Sequence, residues 1–257
     1  MSYRLDVLIQ GFPGKSTGHG PLGWCTVSLL RGHGQVILVD TGGFSYRDLL
    51  VRRLAGLGIS CEQVTSVLLT HCHWDHICNY PMFPGATIFV GKDDLEWALA
   101  QPAGAPHLPE FYVEKLADHH RLSRLRPEDE FLPSLRALAS PGHTPGHISY
   151  LARGEEGDIL FAGDAVKNQA ELVTAQVDLT LNPAESRSSI ERLRALLVKS
   201  PSNVMVCGHD RLLSLENGEV VHRSELEAGI LSRLTKEFDV EVMVDLASLG
   251  QPGSTSA

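Results

Sequence analysis

Within six consecutive residues, His71-Cys72-His73-Trp74-Asp75-His76, the chain offers three imidazoles and a carboxylate. These are the ligand types that hold zinc and related divalent ions. Alternate residues of an extended segment project to opposite sides, so this HxHxDH cluster exceeds what one closed tetrahedral site built locally can use. Two neighbouring metal ions resolve that geometry. The chemistry to expect is activation of water beside a polarised oxygen of the substrate.

More donors stand where apolar runs end. His71 follows SVLLT, Asp164 follows ILFAG, His209 follows VMVCG, and His143 follows LRALAS across Pro141 and Gly142. Chemistry in sheet proteins gathers at strand ends, which groups these segments into one site. His147 competes with His143, but it leads directly into ISYLA and is expected to be used in packing. Cys72 and Cys78 flank the ligands and read as small apolar fillers. Gly14-Lys15-Ser16 is not a nucleotide-binding P-loop, because Ile9 stands where that motif needs its first glycine.

The ordered set HxHxDH, PGH, GD and GHD resembles the metallo-β-lactamase fold hydrolases, with the match running from VDTG at Val39 to Gly42 through His209. The resemblance implies an α/β fold, a four-layered αβ/βα sandwich carrying a helical insertion. It implies that His71, His73 and His143 bind one metal, that Asp75, His76 and His209 bind the other, and that Asp164 bridges them. Asp40 would orient a ligand imidazole. The pattern is closer to N-acyl homoserine lactonases and glyoxalase II-type thioesterases than to true zinc β-lactamases, which lack a bridging aspartate. Lys167 stands where a typical lactonase has a tyrosine, three residues after that aspartate.

The function expected is that of a dinuclear metal-dependent hydrolase, with a metal-bridging hydroxide attacking a lactone or ester carbonyl. Zinc is the expected metal, with iron or manganese as alternatives. Asp75 would accept or pass a proton, and Lys167 would stabilise an oxyanion or hold a substrate carboxylate. The alternatives are a glyoxalase II-like thioesterase, an iron-dependent sulfur dioxygenase and a phosphodiesterase.

Strand-length apolar runs position these groups: Leu5 to Ile9, Thr26 to Leu30, Val36 to Val39, Ser66 to Leu69, Ala86 to Val90, Leu135 to Ala139, Ile148 to Leu151, Ile159 to Ala162 and Val204 to Cys207. Asp48 to Leu57 carries an apolar stripe at helical spacing. Asn182, Pro183 and Glu185 form a helix start ahead of Ile190, Leu193, Leu196 and Leu197. Ser224 and Glu227 predict a third helix through Leu234. Residues 91–133, Pro-punctuated and aromatic, are expected to join no sheet and to serve as a lid or a homodimer contact. One domain over 1–248 is expected, with a frayed tail at 249–257.

Composition narrows the partners. Of 257 residues 43% are hydrophobic, which suits a large core, and the formal charge is −9 with no Lys/Arg run. Such a chain lacks the footprint of a nucleic-acid binder. The expected partner is a small-molecule substrate. No apolar run reaches the roughly 20 residues of a membrane span, and no signal peptide is legible at the start. Five cysteines at irregular spacing speak for a reducing compartment, and the cytoplasm is expected.

Overall fold

The computed structural model describes residues 2–18 and 20–247. The segment 249–257, expected to be a tail, lies outside the described residues. The chain divides into two units, Met1–Arg223 and Ser224–Ala257. In order, the first half of the larger unit has β1 (Arg4–Ile9), the short β2 (Lys15–Ser16) and β3 (Gly20–Pro21), β4 (Val27–Gly32), β5 (Gln35–Val39), α1 (Arg47–Gly56), β6 (Ser66–Leu68), α2 (Trp74–Ile77), β7 (Thr87–Gly91), α3 (Lys92–Leu99), α4 (Glu110–Ala117) and β8 (Leu122–Leu125). Its second half has β9 (Glu130–Leu132), β10 (Leu135–Ala139), β11 (Ile148–Arg153), β12 (Asp158–Gly163), α5 (Gln169–Thr174), α6 (Pro183–Leu197), β13 (Val204–Cys207), β14 (Leu213–Glu216) and β15 (Glu219–His222).

Six strands form one sheet in the order β1-β4-β5-β6-β7-β8, and seven form another in the order β15-β14-β13-β12-β11-β10-β9. Alternation along the strands sorts the side chains into layers. Leu30, Ile37, Val39 and Leu68 of the first sheet meet Tyr150, Ile159, Phe161 and Val206 of the second in one core. Their neighbours Leu29, Leu38, Val67 and Leu69 point the other way, against Leu50 and Leu54 of α1, Leu95 of α3 and Val113 and Leu116 of α4. Leu160, Ala162 and Met205 likewise meet Leu172 of α5 and Ile190, Leu193 and Leu197 of α6. The result is helix, sheet, sheet, helix, the four-layered sandwich expected.

The nine apolar runs are all strands, and α1 and α6 stand where helices were expected. Two expectations are corrected. Residues 91–133 do not stand wholly outside the sheets, because β8 runs parallel to β7 and β9 pairs with β10. LSRL at 122–125 buries only Leu125, so it carries no clear alternation to betray an edge strand. The helix expected after Ser224 is absent. Gly229–Ser232 is strand β16, paired antiparallel with β17 (Val242–Asp245) in the small unit. Gly229 would cost that helix about 1 kcal/mol, and the strand finds a β-branched partner in Val242 and Val244.

Candidate metal centre

Parallel neighbours bring the donors to common sheet ends. β5 runs parallel to β6, so Asp40 after the one lies beside Thr70 and His71 after the other. β12 runs parallel to β13, which sets Asp164 and His209 side by side. Two glycines permit this approach. Gly163 has φ +51, and a Cβ there would lie 2.7 Å from Thr70 Cβ; a Cβ on Gly208 would collide with Asp164 Oδ1. The single helical turn of α2 then carries Asp75 and His76 in from the first sheet.

The expected donors are brought together. His71, His73 and His143 form one group, His71, His76 and Asp164 a second, and Asp75, His76 and His209 a third, with ligand atoms in each within 4.8 Å of one another. Asp164 faces both halves: Oδ2 is 3.3 Å from His143 Nε2, while Oδ1 is 3.3 Å from both His76 Nε2 and His209 Nε2. Asp75 Oδ2 lies 3.3 Å from His209 Nε2 and 3.6 Å from His76 Nε2.

A set of outer partners turns the lone pairs inward. Asp40 Oδ2 lies 2.9 Å from His76 Nδ1, and the same carboxylate accepts the Thr70 hydroxyl, whose oxygen is 3.0 Å from His71 Nδ1. His143 Nδ1 donates to the Leu179 carbonyl at 2.9 Å. With those protons committed, the Nε2 atoms of His71, His76 and His143 present lone pairs to the centre. His71 Nε2, His76 Nε2 and Asp164 Oδ1 are buried there without hydrogen-bond partners. Orphaned acceptors converging in a protein interior are costly, and a divalent cation satisfies them. The residues therefore fit a metal pair.

Protonation agrees. Burial pushes the imidazoles of His71 and His143 well below their ordinary range, and that of His73 down to about 4. Burial also opposes ionisation of Asp164, but His209, His76 and His143 outweigh it and hold the carboxyl well below the usual range. Neutral imidazoles at His71, His73 and His143 beside an ionised aspartate are the ligand state a metal requires. At His76 and His209 burial opposes the charged form, but Cys25, Asp40, Asp75 and Asp164 around His76 and Asp164 and Asp75 around His209 outweigh it and raise both imidazoles, so a cation bound there would displace their protons.

His73, Asp75, His143, Asp164 and His209 of this cluster line a cavity of about 660 Å³. Trp74, Trp97, Leu108, Leu179 and Leu181 are among its apolar lining residues. Lys167 is not a surface charge. It is buried in the cavity lining, with its Nζ 2.9 Å from Glu171 Oε1. Lys15 of the glycine-rich loop reaches Asp178 in an ion pair, and both residues line the cavity.

His147, the rival of His143, has both ring nitrogens in use: Nδ1 lies 2.8 Å from Ser140 Oγ, and Nε2 accepts the Asp164 backbone N–H at 3.1 Å. It steadies Asp164 and has no lone pair for an ion. Cys72 and Cys78 are fully buried, as fillers should be. Sequence reasoning missed Thr70, Glu171 and the fully buried Asp94. Only the adjacency of Thr70 to His71, and the spacing of Glu171 four residues after Lys167, offered a signal.

Comparison with known proteins agrees with this geometry. The profile of the metallo-beta-lactamase superfamily matches residues 21–209. Human metallo-beta-lactamase domain-containing protein 1 is 35% identical over 175 residues, 67% of this chain and 57% of that protein. The N-acyl homoserine lactonase of Bacillus thuringiensis is 27% identical over 164 residues, 63% of this chain and 62% of its own length. The matched part thus spans less than two thirds of either relative. Among solved structures, AidC, a dizinc quorum-quenching lactonase in complex with a product, superposes with a TM-score of 0.65 at 16% identity, covering 79% of this chain and 80% of that one. An N-acyl homoserine lactone hydrolase with product bound at its catalytic metal centre gives 0.61 at 21% identity, covering 81% and 93%. With the four layers, the ordered donors and the profile in agreement, the chain belongs to the metallo-beta-lactamase superfamily.

Proposed function

We propose that this protein is a dinuclear metal-dependent hydrolase of small carboxylic esters, with lactones as the first substrate class and thioesters as the second. The observation that carries the reading is the set of orphaned acceptors, His71 Nε2, His76 Nε2 and Asp164 Oδ1, buried together where Asp164 meets a largely apolar cavity. Two divalent ions held there would supply a Lewis acid and a water acidified to a pKa of about 7. His71, His73 and His143 would hold one ion, Asp75, His76 and His209 the other, and Asp164 both. Zinc suits these nitrogen and carboxylate donors.

The chain's own groups then orient the substrate. Asp75 keeps a carboxylate oxygen at the edge of the cavity, where it can accept a proton and return it to a leaving oxygen. Lys167 offers an ammonium to the substrate's oxyanion or carboxylate, with Glu171 holding its Nζ. Trp74, Trp97, Leu108, Leu179 and Leu181 accept an acyl chain and keep water from it. The net charge of −9 works against a polyanionic nucleic acid. The free cysteines suit a cytoplasmic home, and among the described residues no helix is long and apolar enough to cross a membrane.

The test is a hydrolysis panel on zinc-loaded protein: acyl homoserine lactones, simple lactones, S-acyl glutathione and phosphodiesters. Lactone turnover that Lys167→Met slows without loss of metal is the expected outcome. Cleavage of S-acyl glutathione alone would establish the thioesterase reading, and cleavage of phosphodiesters alone would refute the argument from charge.

A further inference from the structure

Asp94 belongs to neither donor set, yet its side chain is wholly buried beside them. It sits in the first turn of α3 and accepts two hydrogen bonds. Its Oδ2 takes the backbone N–H of Cys72, between His71 and His73, at 2.7 Å. Its Oδ1 takes the hydroxyl of Thr144, the residue after His143. These residues are 22 and 50 positions away in the chain, so one carboxylate ties together two loops that local sequence cannot align.

The packing around it is close. A Cβ on Gly146 would collide with the backbone of Asp93 and Asp94, and a Cβ on Gly91 would lie 2.7 Å from the Gly146 carbonyl. The start of α3 is thus seated on the loop that carries His143. Burial raises the Asp94 carboxyl to about 6, so its charge at neutral pH is costly to the fold, and a purely structural filler could avoid that cost. The other half of the centre has a different anchor, since Asp40 holds His76 directly.

We propose that Asp94 is a positioning residue for the three-histidine half of the metal centre, clamping the His71–His73 loop to the His143 loop so that their nitrogens converge on one ion. The proposal rests on the metal-binding reading above. It makes a selective statement: loss of the clamp loosens the ion held by His71, His73 and His143 and spares the ion held by Asp75, His76 and His209.

The experiment is a titration of metal-free protein with Co(II) and Zn(II) under chelator competition, following the visible d–d bands. His143→Ala and His209→Ala provide the spectral signatures of losing each half. Asp94→Ala is expected to weaken one of two ions by roughly 10–100-fold, with a difference spectrum matching His143→Ala. Asp94→Asn, which keeps an acceptor for the Cys72 N–H, restores most of that affinity. Thr144→Val, which breaks one arm of the clamp and leaves the carboxylate in place, shows a smaller loss of the same ion and carries the test should Asp94→Ala fail to fold. Equal weakening of both ions, or no weakening in either Asp94→Ala or Thr144→Val, overturns the proposal while leaving the metal centre standing. Wild-type protein that binds no metal overturns both.

Discussion

Asp164 offers its two oxygens to different imidazoles, one towards His143 and the other towards His76 and His209. An amide there would put an N–H₂ group against one of those halves, which a cation repels. Asp164→Asn is therefore expected to lower bound metal from two equivalents to one or fewer and to reduce hydrolysis by at least roughly 100-fold, read by elemental analysis and steady-state rates. Asp94 gives the residue-scale pH prediction. Its carboxyl titrates near 6 in the fold, raised from 3.8 by burial. The neutral form is the one the fold favours, so the stability it contributes is full below about pH 4 and is lost as pH rises through 6, by about 3 kcal/mol. Urea midpoints of metal-free protein, compared with Asp94→Asn between pH 4 and 7, should converge at neither end. The wild type should lose ground to the variant across that window, and a constant difference would refute the titration.

At the scale of elements, α6 behaves as its sequence suggests. Asn182 Oδ1 accepts the N–H groups of Ala184 at 3.1 Å and Glu185 at 3.2 Å, and Pro183 opens the helix. Asn182→Ala should cost about 1 kcal/mol in denaturant unfolding. The α3–α4 region divides its aromatics. Trp97 lines the cavity, whereas Phe111 is 82% exposed and Tyr112 packs against Phe44 and Tyr80. Trp97→Ala should raise KM for an acyl substrate several-fold with metal content unchanged. Phe111→Ala should leave the kinetics alone, and a shift from dimer to monomer in sedimentation would assign that ring to self-association. The helix predicted after Ser224 failed because cap signals are local, and Gly229 interrupts the apolar stripe they introduce.

At the scale of the larger unit, the two main sheets and two helix layers meet along three apolar clusters, and the donors occupy the seam at the sheet ends. Metal binding should therefore couple to global stability, because two of the candidate donor groups, His71 with His73 and His143 and Asp75 with His76 and His209, each draw on both halves of the larger unit. Chelation is expected to lower Tm, and zinc restored at about 1,000 times its Kd adds roughly 4 kcal/mol. Thermal unfolding with and without chelator checks this, and an unchanged Tm would separate the site from the fold.

The amino-acid sequence by itself determined the donor types, their places at strand ends, and the two-residue alternation that sorts side chains into layers. These are local signals, read within a few residues of each other. It favoured His143 over His147 because a residue entering a strand is committed to its surroundings, and both ring nitrogens of His147 are in use by Ser140 and the Asp164 backbone. Only the tertiary structure decided where Asp94 and Lys167 lie. Asp94 looks like an ordinary acidic residue in a helix first turn, and its partners Cys72 and Thr144 reach it only after the β6 and β10 loops are brought together. Lys167 looks like a surface charge until Glu171 and the cavity wall enclose it. Contacts across tens of residues depend on sheet order and register, which no local pattern encodes, and that is why the candidate donors were legible while Asp94 and Glu171 behind them were not.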